Sequence, residues 1–208
     1  MMYIITPCGS SMSSKTYYDL LRVQSTMMSD VMMGPVMGSM HQDQLILAVK
    51  EARRSGATHL GIVEHDMRFP PDAFHRLLAH NKPVIGANYR QRQQDKWTAV
   101  KNRTTYVSSR NRTGIEPVLS VGMGVQLIDM AVFAKLNVPW WSAPFDTEEG
   151  RHMGVDVYFG HNVDAVGLTS WVDHDLSQDV GHIAGDIELW CDKLVYTQTG
   201  EMVAAAWH

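Results

Sequence analysis

The sequence predicts an α/β fold, an open and mostly parallel sheet flanked by helices, laid out as a single domain over residues 1–208. Three observations carry that expectation. Short apolar runs alternate with amphipathic stretches along the chain, the order expected of successive βα units. No internal repeat, low-complexity tract or linker interrupts the alternation. The apolar run Leu60-Gly61-Ile62-Val63 passes directly into an acidic turn, Glu64-His65-Asp66, and open α/β sheets bind their ligands at the carboxyl ends of strands.

The elements follow in order. Residues 2–6 are apolar and form the first strand, stopped by Pro7 and Gly9. Residues 14–24 are helical, with Ser13 or Ser14 as the N-cap. Over 41–54, Leu45, Ala48, Val49 and Ala52 recur at i, i+3, i+4 and i+7, the stripe of an amphipathic helix that Gly56 closes. Strand 58–63 comes next. Pro70 and Pro71 end its extension, and helix 71–79 puts Phe74, Leu77 and Leu78 on one face.

Residues 84–87 make another strand. The polar, weakly patterned stretch 91–116 is long for a connector and carries short strands around 97–100 and 104–107. Gly122 and Gly124 open a new unit leading to a helix near 129–136. Trp140 and Trp141, between Pro139 and Pro144, lie in a strand or a lip. Helix 154–166 shows Val155, Phe159 and Val166 on one side, and 168–172 is a further strand.

Composition removes several function classes. Apolar residues at 45% and charged residues at 19% describe a globular chain. A formal charge of −4 provides no basic footprint for nucleic acid. Basic residues do gather locally (Arg90, Arg92, Lys96, Lys101, Arg103, Arg110 and Arg112), facing either an anionic ligand or solvent. Two cysteines without a CxxC give no disulfide framework and point to a reducing compartment. With no 18-residue apolar run and no signal-peptide pattern at the start, the expected location is cytoplasmic. No GxxxxGK[ST] loop is present, which argues against a P-loop kinase. The fourteen methionines are read as flexible core filler.

Chemistry concentrates at the acidic turn. Glu64 and Asp66 are two residues apart, so on an extended backbone they point to one side. Hard oxygen ligands there suit Mg²⁺ or Mn²⁺, whereas the alternative is a solvated acidic turn.

Six segments, in order, resemble the nucleotide-sugar glycosyltransferases of GT-A fold, family-2-like members in particular. They are the first strand ending at Thr6-Pro7; the strand and "DxD"-like turn through Glu64-His65-Asp66; the follow-on strand Val84-Ile85-Gly86-Ala87-Asn88-Tyr89-Arg90; the glycine turn Val121-Gly122-Met123-Gly124; Val155-Asp156-Val157-Tyr158-Phe159; and the late histidine segment from Asp173 to Gly181-His182-Ile183. Glu64 replaces the usual first acid, Val155 precedes Asp156 where that family has glutamate, and His41-Gln42-Asp43-Gln44 stands where a basic residue is common.

The resemblance implies a Rossmann-like, GT-A-like domain, with a nucleotide-binding half near 1–90 and an acceptor-side half near 91–208. It implies inverting sugar transfer from a nucleoside-diphosphate sugar to a hydroxyl of an unknown acceptor: glycan, protein, lipid or modified nucleic acid. Asp66, Glu64 and His182 become ligands of Mn²⁺ or Mg²⁺. Pro7, Cys8, Glu64, His65, Asp66 and Arg90 become donor-binding residues, with Asn88 and Tyr89 beside them. Asp156 becomes the general base, with Asp146, Glu148 or Glu149 as substitutes one turn upstream. Trp140 and Trp141 either stack on a sugar face or are ordinary core or interface aromatics, and a partner protein is expected to supply acceptor surface to so small a chain. Two other classes stay open: a metal-dependent phosphoesterase or nucleotidyltransferase, and a binding module that keeps the scaffold without turnover.

Overall fold

The computed structural model describes residues 1–204 except positions 10, 28–29, 39, 93–95, 103–104, 149 and 197–198. Arg103, Thr104 and Glu149, named above, lie outside the described residues. From the N-terminus, β1 (Met2–Cys8) leads through α1 (Ser14–Met27) to β2 (Val31–Met37), and α2 (His41–Arg54) leads to β3 (His59–Val63). The two-residue β4 (Met67–Arg68) precedes α3 (Ala73–Ala79), β5 (Val84–Ala87), β6 (Ile115–Val118) and β7 (Val125–Asp129). Then come α4 (Val132–Lys135), the hairpin β8 (Phe145–Asp146) and β9 (Arg151–His152), α5 (Val155–Ala165), β10 (Ser170–Asp173) and α6 (His174–Gln178). Four short strands close the chain: β11 (Gly181–Ala184), β12 (Ile187–Leu189), β13 (Lys193–Tyr196) and β14 (Met202–Ala204).

Seven strands form the main sheet in the order β2-β1-β3-β7-β5-β10-β6. Five of them run the same way, and β7 and β6 run against them. The fold is therefore α/β with a mostly parallel sheet flanked by helices. Consecutive strand residues go to opposite faces: Leu60 and Ile62 pack with Leu45, Val49, Phe133 and Phe159 on one side. Val63, Ile85 and Leu127 pack with Leu20, Val23, Phe74 and Leu77 on the other. Burial on both faces is why these strands read as near-continuous apolar runs.

Several boundaries differ from the sequence expectation. Strand β1 continues through Pro7, because β3 pairs only with Met2–Ile5 and a proline beyond that stretch leaves no central ladder bond unmade. Strand β2 escaped notice because Gly34-Pro35 splits its apolar run, and it sits at the sheet edge, where proline is tolerated. Residues 125–129, expected to run from a glycine turn towards a helix, are the antiparallel strand between β3 and β5. The helix that follows is only Val132–Lys135. The segments near 97–100 and 104–107 make isolated bridges, Arg90 to Trp97 and Val100 to Tyr106, instead of strands.

A second sheet, antiparallel throughout, has the order β14-β13-β12-β11-β4. It is tied to α1 by a buried charge network: Glu188 accepts from Lys15 Nζ at 2.6 Å and Arg68 Nη1 at 3.0 Å, and Arg68 Nε donates to Asp19 at 2.7 Å. Among the described residues no helix is long and apolar enough to cross a membrane.

Candidate functional site

The acidic turn after β3 opens into a cavity of about 400 Å³ at the carboxyl ends of β1, β3 and β5. Pro7 comes from β1, Glu64, His65 and Asp66 from the turn, and Tyr89, Gln91 and Arg92 from the segment after β5. His41, the first residue of α2, and His182 of β11 complete most of the wall.

Short pairing between β4 and β11, far apart in sequence, brings His182 in. Strand β11 lies antiparallel to β4 with His182 opposite Met67, and the Ile183 amide donates to the Asp66 carbonyl at 2.8 Å. The His182 Nε2 atom then stands 3.1 Å from Asp66 Oδ2, across 116 positions of sequence. The Arg90 carbonyl accepts from His182 Nδ1 at 2.7 Å and sets the ring's orientation. Arg92 ion-pairs with Asp66 and donates through Nε to His182 Nε2 at 3.3 Å. Burial first, with Arg92 adding to it, holds the His182 pKa below its usual value against the pull of the Arg90 carbonyl and Glu64. Burial lowers His65 and His41 as well.

Glu64 belongs to a different set of contacts. The Tyr89 hydroxyl donates to its Oε2 at 2.9 Å and accepts from the Gly124 amide at 3.0 Å. A Cβ on Gly124 would stand 2.5 Å from the Tyr89 ring, so this glycine is what lets the ring lie against the chain. Tyr89 is buried, and that burial, with Glu64 beside it, pushes its hydroxyl pKa well above the usual value.

A second cavity of about 270 Å³ adjoins the first and shares Gln91 and Thr98 with it. Asn102, Tyr106, Asp146, Arg151 and His152 line it, and Asp156 lies in its wall at the first turn of α5. Asp156 is half-buried, and its Oδ1 accepts from the Val157 amide at 2.9 Å. Burial raises its pKa to about 6; the Val157 amide works against that, and the charge of Glu64 adds to it. The two cavities thus share part of their walls.

Asp66 and His182 bring one carboxylate oxygen and one imidazole nitrogen, both on buried residues, within 3.1 Å of each other, donor types that suit a divalent cation. Among the described residues no group of three or more His, Cys, Asp or Glu side chains converges, and Glu64 faces Tyr89 instead.

The other expected residues fall as follows. Cys8 is buried with Sγ against Met37 Sδ at 3.4 Å, and its carbonyl accepts from Gln44; it does not line the cavity, whereas Pro7 does. Arg90 is buried beneath the cavity and contributes its carbonyl, while Arg92, two positions on, is the arginine that lines it. Asn88 braces the loop, accepting from the Ala99 amide at 2.9 Å and donating to the Val107 carbonyl at 2.6 Å. The expected sugar platform of Trp140 and Trp141 is corrected: both are buried in an aromatic cluster with Phe133 and Phe159, since large apolar rings gain more from the core than from an open lip. Of the basic cluster, Arg92 lines the cavity, whereas Lys101 and Arg112 both pair with Glu116. Asp146 lines the second cavity, and Glu148 is exposed.

Sequence reasoning passed over His41, Thr98 and Tyr106. His41 had a usable signal, since the first residue of a helix after a strand faces the ligand edge of an α/β sheet.

No protein-family model and no curated protein sequence matches the chain. Among solved structures, A197 from STIV is similar over 100% of this chain and 95% of that one, with a TM-score of 0.65 and 14% identity. The nucleoside-diphosphate-sugar pyrophosphorylase from Vibrio cholerae RC9 covers 89% of this chain and 78% of its own, with a TM-score of 0.46 and 12% identity. The similarity to A197 is one of fold.

Proposed function

We propose that the chain is a glycosyltransferase that moves a sugar from a nucleoside diphosphate to an acceptor hydroxyl with inversion. One observation supports this reading above the others. A carboxylate with a pKa near neutrality, Asp156, lies in the wall of a cavity that adjoins the one holding Glu64, Asp66 and His182. In this reading the donor occupies the larger cavity and the acceptor the smaller.

Asp156 removes the proton from the acceptor hydroxyl as its oxygen bonds to the anomeric carbon. The bond from that carbon to the diphosphate breaks, and the electron pair leaves with the diphosphate. A base with a pKa of about 6 is ionised at neutral pH and still basic enough for the transfer. Asp66 and His182 would hold a divalent cation, Mn²⁺ or Mg²⁺, which supplies charge neutralisation for the departing diphosphate. Tyr89 holds Glu64 in place beside both groups.

The test is incubation of the chain with UDP- and GDP-sugars and a panel of saccharide acceptors. The expected result is acceptor-dependent release of a nucleoside diphosphate, about 100-fold or more slower in Asp156→Asn, with an acid limb near pH 6. Release of a nucleoside monophosphate with sugar 1-phosphate would instead favour a phosphoesterase, and pyrophosphate-dependent release of a nucleoside triphosphate with sugar 1-phosphate a nucleotidyltransferase. Nucleotide binding with no turnover would favour a binding module.

A further inference from the structure

The Asp66–His182 pair already holds a positive charge, and it comes from the chain itself. His182 Nδ1 lies 2.7 Å from the Arg90 carbonyl, so Nδ1 carries the ring proton and the Nε2 lone pair faces the cavity. Arg92 donates to that same Nε2 at 3.3 Å; an arginine has no acceptor, so the contact needs a lone pair there. Asp66 Oδ2, a second acceptor, stands 3.1 Å from Nε2. Two lone pairs so close repel each other unless a cation serves both, and the Arg92 guanidinium contacts both. Two ligands at right angles, each about 2.1 Å from a small divalent ion, stand about 3.0 Å apart. The separation in this pair therefore suits either cation, and the position admits one at a time.

Exposure is unequal between the partners. Asp66 and His182 are buried and tied to each other by the β4–β11 pairing, whereas the Arg92 side chain is 47% exposed at the cavity mouth. The arginine is the part that can leave.

We propose that Arg92 is an exchangeable internal cation: it occupies the Asp66–His182 pair in the metal-free chain, gives way to a divalent ion, and then binds the phosphates of a nucleoside diphosphate entering the same cavity. Only the last step rests on the nucleotide-sugar reading. The exchange itself is a property of the three side chains.

The test is titration of Mn²⁺ alone into the metal-stripped full chain, into Arg92→Ala and Arg92→Gln, and into Asp66→Ala. Arg92 is largely exposed, and circular dichroism with a melting curve checks that its variants fold. Both Arg92 variants are expected to bind Mn²⁺ about two- to fivefold more tightly than the parent chain, the amount expected from removing a half-exposed competing ion pair. Asp66→Ala is expected to lose binding. Unchanged or weaker Mn²⁺ binding in the Arg92 variants, or no binding to any of the chains, overturns the exchange. A second titration adds UDP or GDP at saturating Mn²⁺, where Arg92→Ala is expected to bind about tenfold more weakly; equal affinity overturns the phosphate role. If Mn²⁺ binding tightens but neither nucleotide binds any chain, the exchange stands and the nucleotide-sugar reading fails.

Discussion

Replacing Asp156 with asparagine is expected to stabilise the protein, and to do so only where the native residue is charged. The carboxyl has a folded pKa of about 6 against an ordinary 3.8. At about 1.36 kcal/mol per pKa unit, ionising it in the folded state costs about 3 kcal/mol. Residual water access at this half-buried residue lowers the figure, so about 1.5–3 kcal/mol is the working range. Between 3.8 and about 6 the folded chain binds more protons than the unfolded one. The residue's contribution is therefore fully present below pH 3.8, is lost as pH rises through about 6, and is level above that. Asparagine cannot ionise, and its Oδ1 can still accept from the Val157 amide. The assay is urea unfolding of both proteins from about pH 4 to about pH 8. The gain from Asp156→Asn should be small at the acid end and reach about 1.5–3 kcal/mol by neutrality, or several degrees in Tm. Adding Glu64→Gln should shrink it, because the Glu64 charge is one cause of the raised pKa. A difference independent of pH, or a loss of stability at pH 8, would refute the argument that the fold keeps this carboxylate at a cost in stability.

Three further outcomes follow from packing and charge. Gly124→Ala places a Cβ 2.5 Å from Tyr89 Cε1 and 2.8 Å from Met67 Cε, and should destabilise by about 1–3 kcal/mol in urea unfolding. Tyr89→Phe removes the donor to Glu64 and the acceptor for the Gly124 amide, and should lower stability by about 1–3 kcal/mol while leaving the far-UV spectrum unchanged. For Glu188, burial pushes the pKa up, but Lys15 and Arg68 outweigh it and the net shift is downward. Glu188→Gln should therefore lower stability by about 1–3 kcal/mol at pH 7, a gap that closes as pH falls from the ordinary value of 4.5 through the folded one. A gap that persists unchanged at low pH would count against the charge network.

What was legible in the sequence is what has a local period. Helix 41–54 shows its stripe, and strand 84–87 and the run ending at Val63 are short and apolar because both sheet faces are covered. The Glu64-His65-Asp66 turn was legible because it follows such a run directly. The second sheet was not, because its strands are two to four residues long and β4 finds β11 over more than a hundred positions. That pairing is what delivers His182 to Asp66, and only the family resemblance anticipated it. That Arg92 lines the cavity while Arg90 turns its carbonyl to the His182 ring is a contact no spacing rule reveals, since both arginines follow β5. For Trp140 and Trp141 the flanking prolines left a lip and the core equally open, and Phe133 and Phe159, from elsewhere in the chain, decide for the core.

The central claim is that the larger cavity is a nucleoside-diphosphate site. Calorimetric titration of UDP and of GDP into the chain, with and without Mn²⁺ and repeated on Asp66→Ala, tests it most directly. One of the two is expected to bind, more tightly with Mn²⁺, and the Mn²⁺ dependence is expected to disappear with the Asp66 carboxylate. Failure of both nucleotides to bind under every metal condition would contradict it.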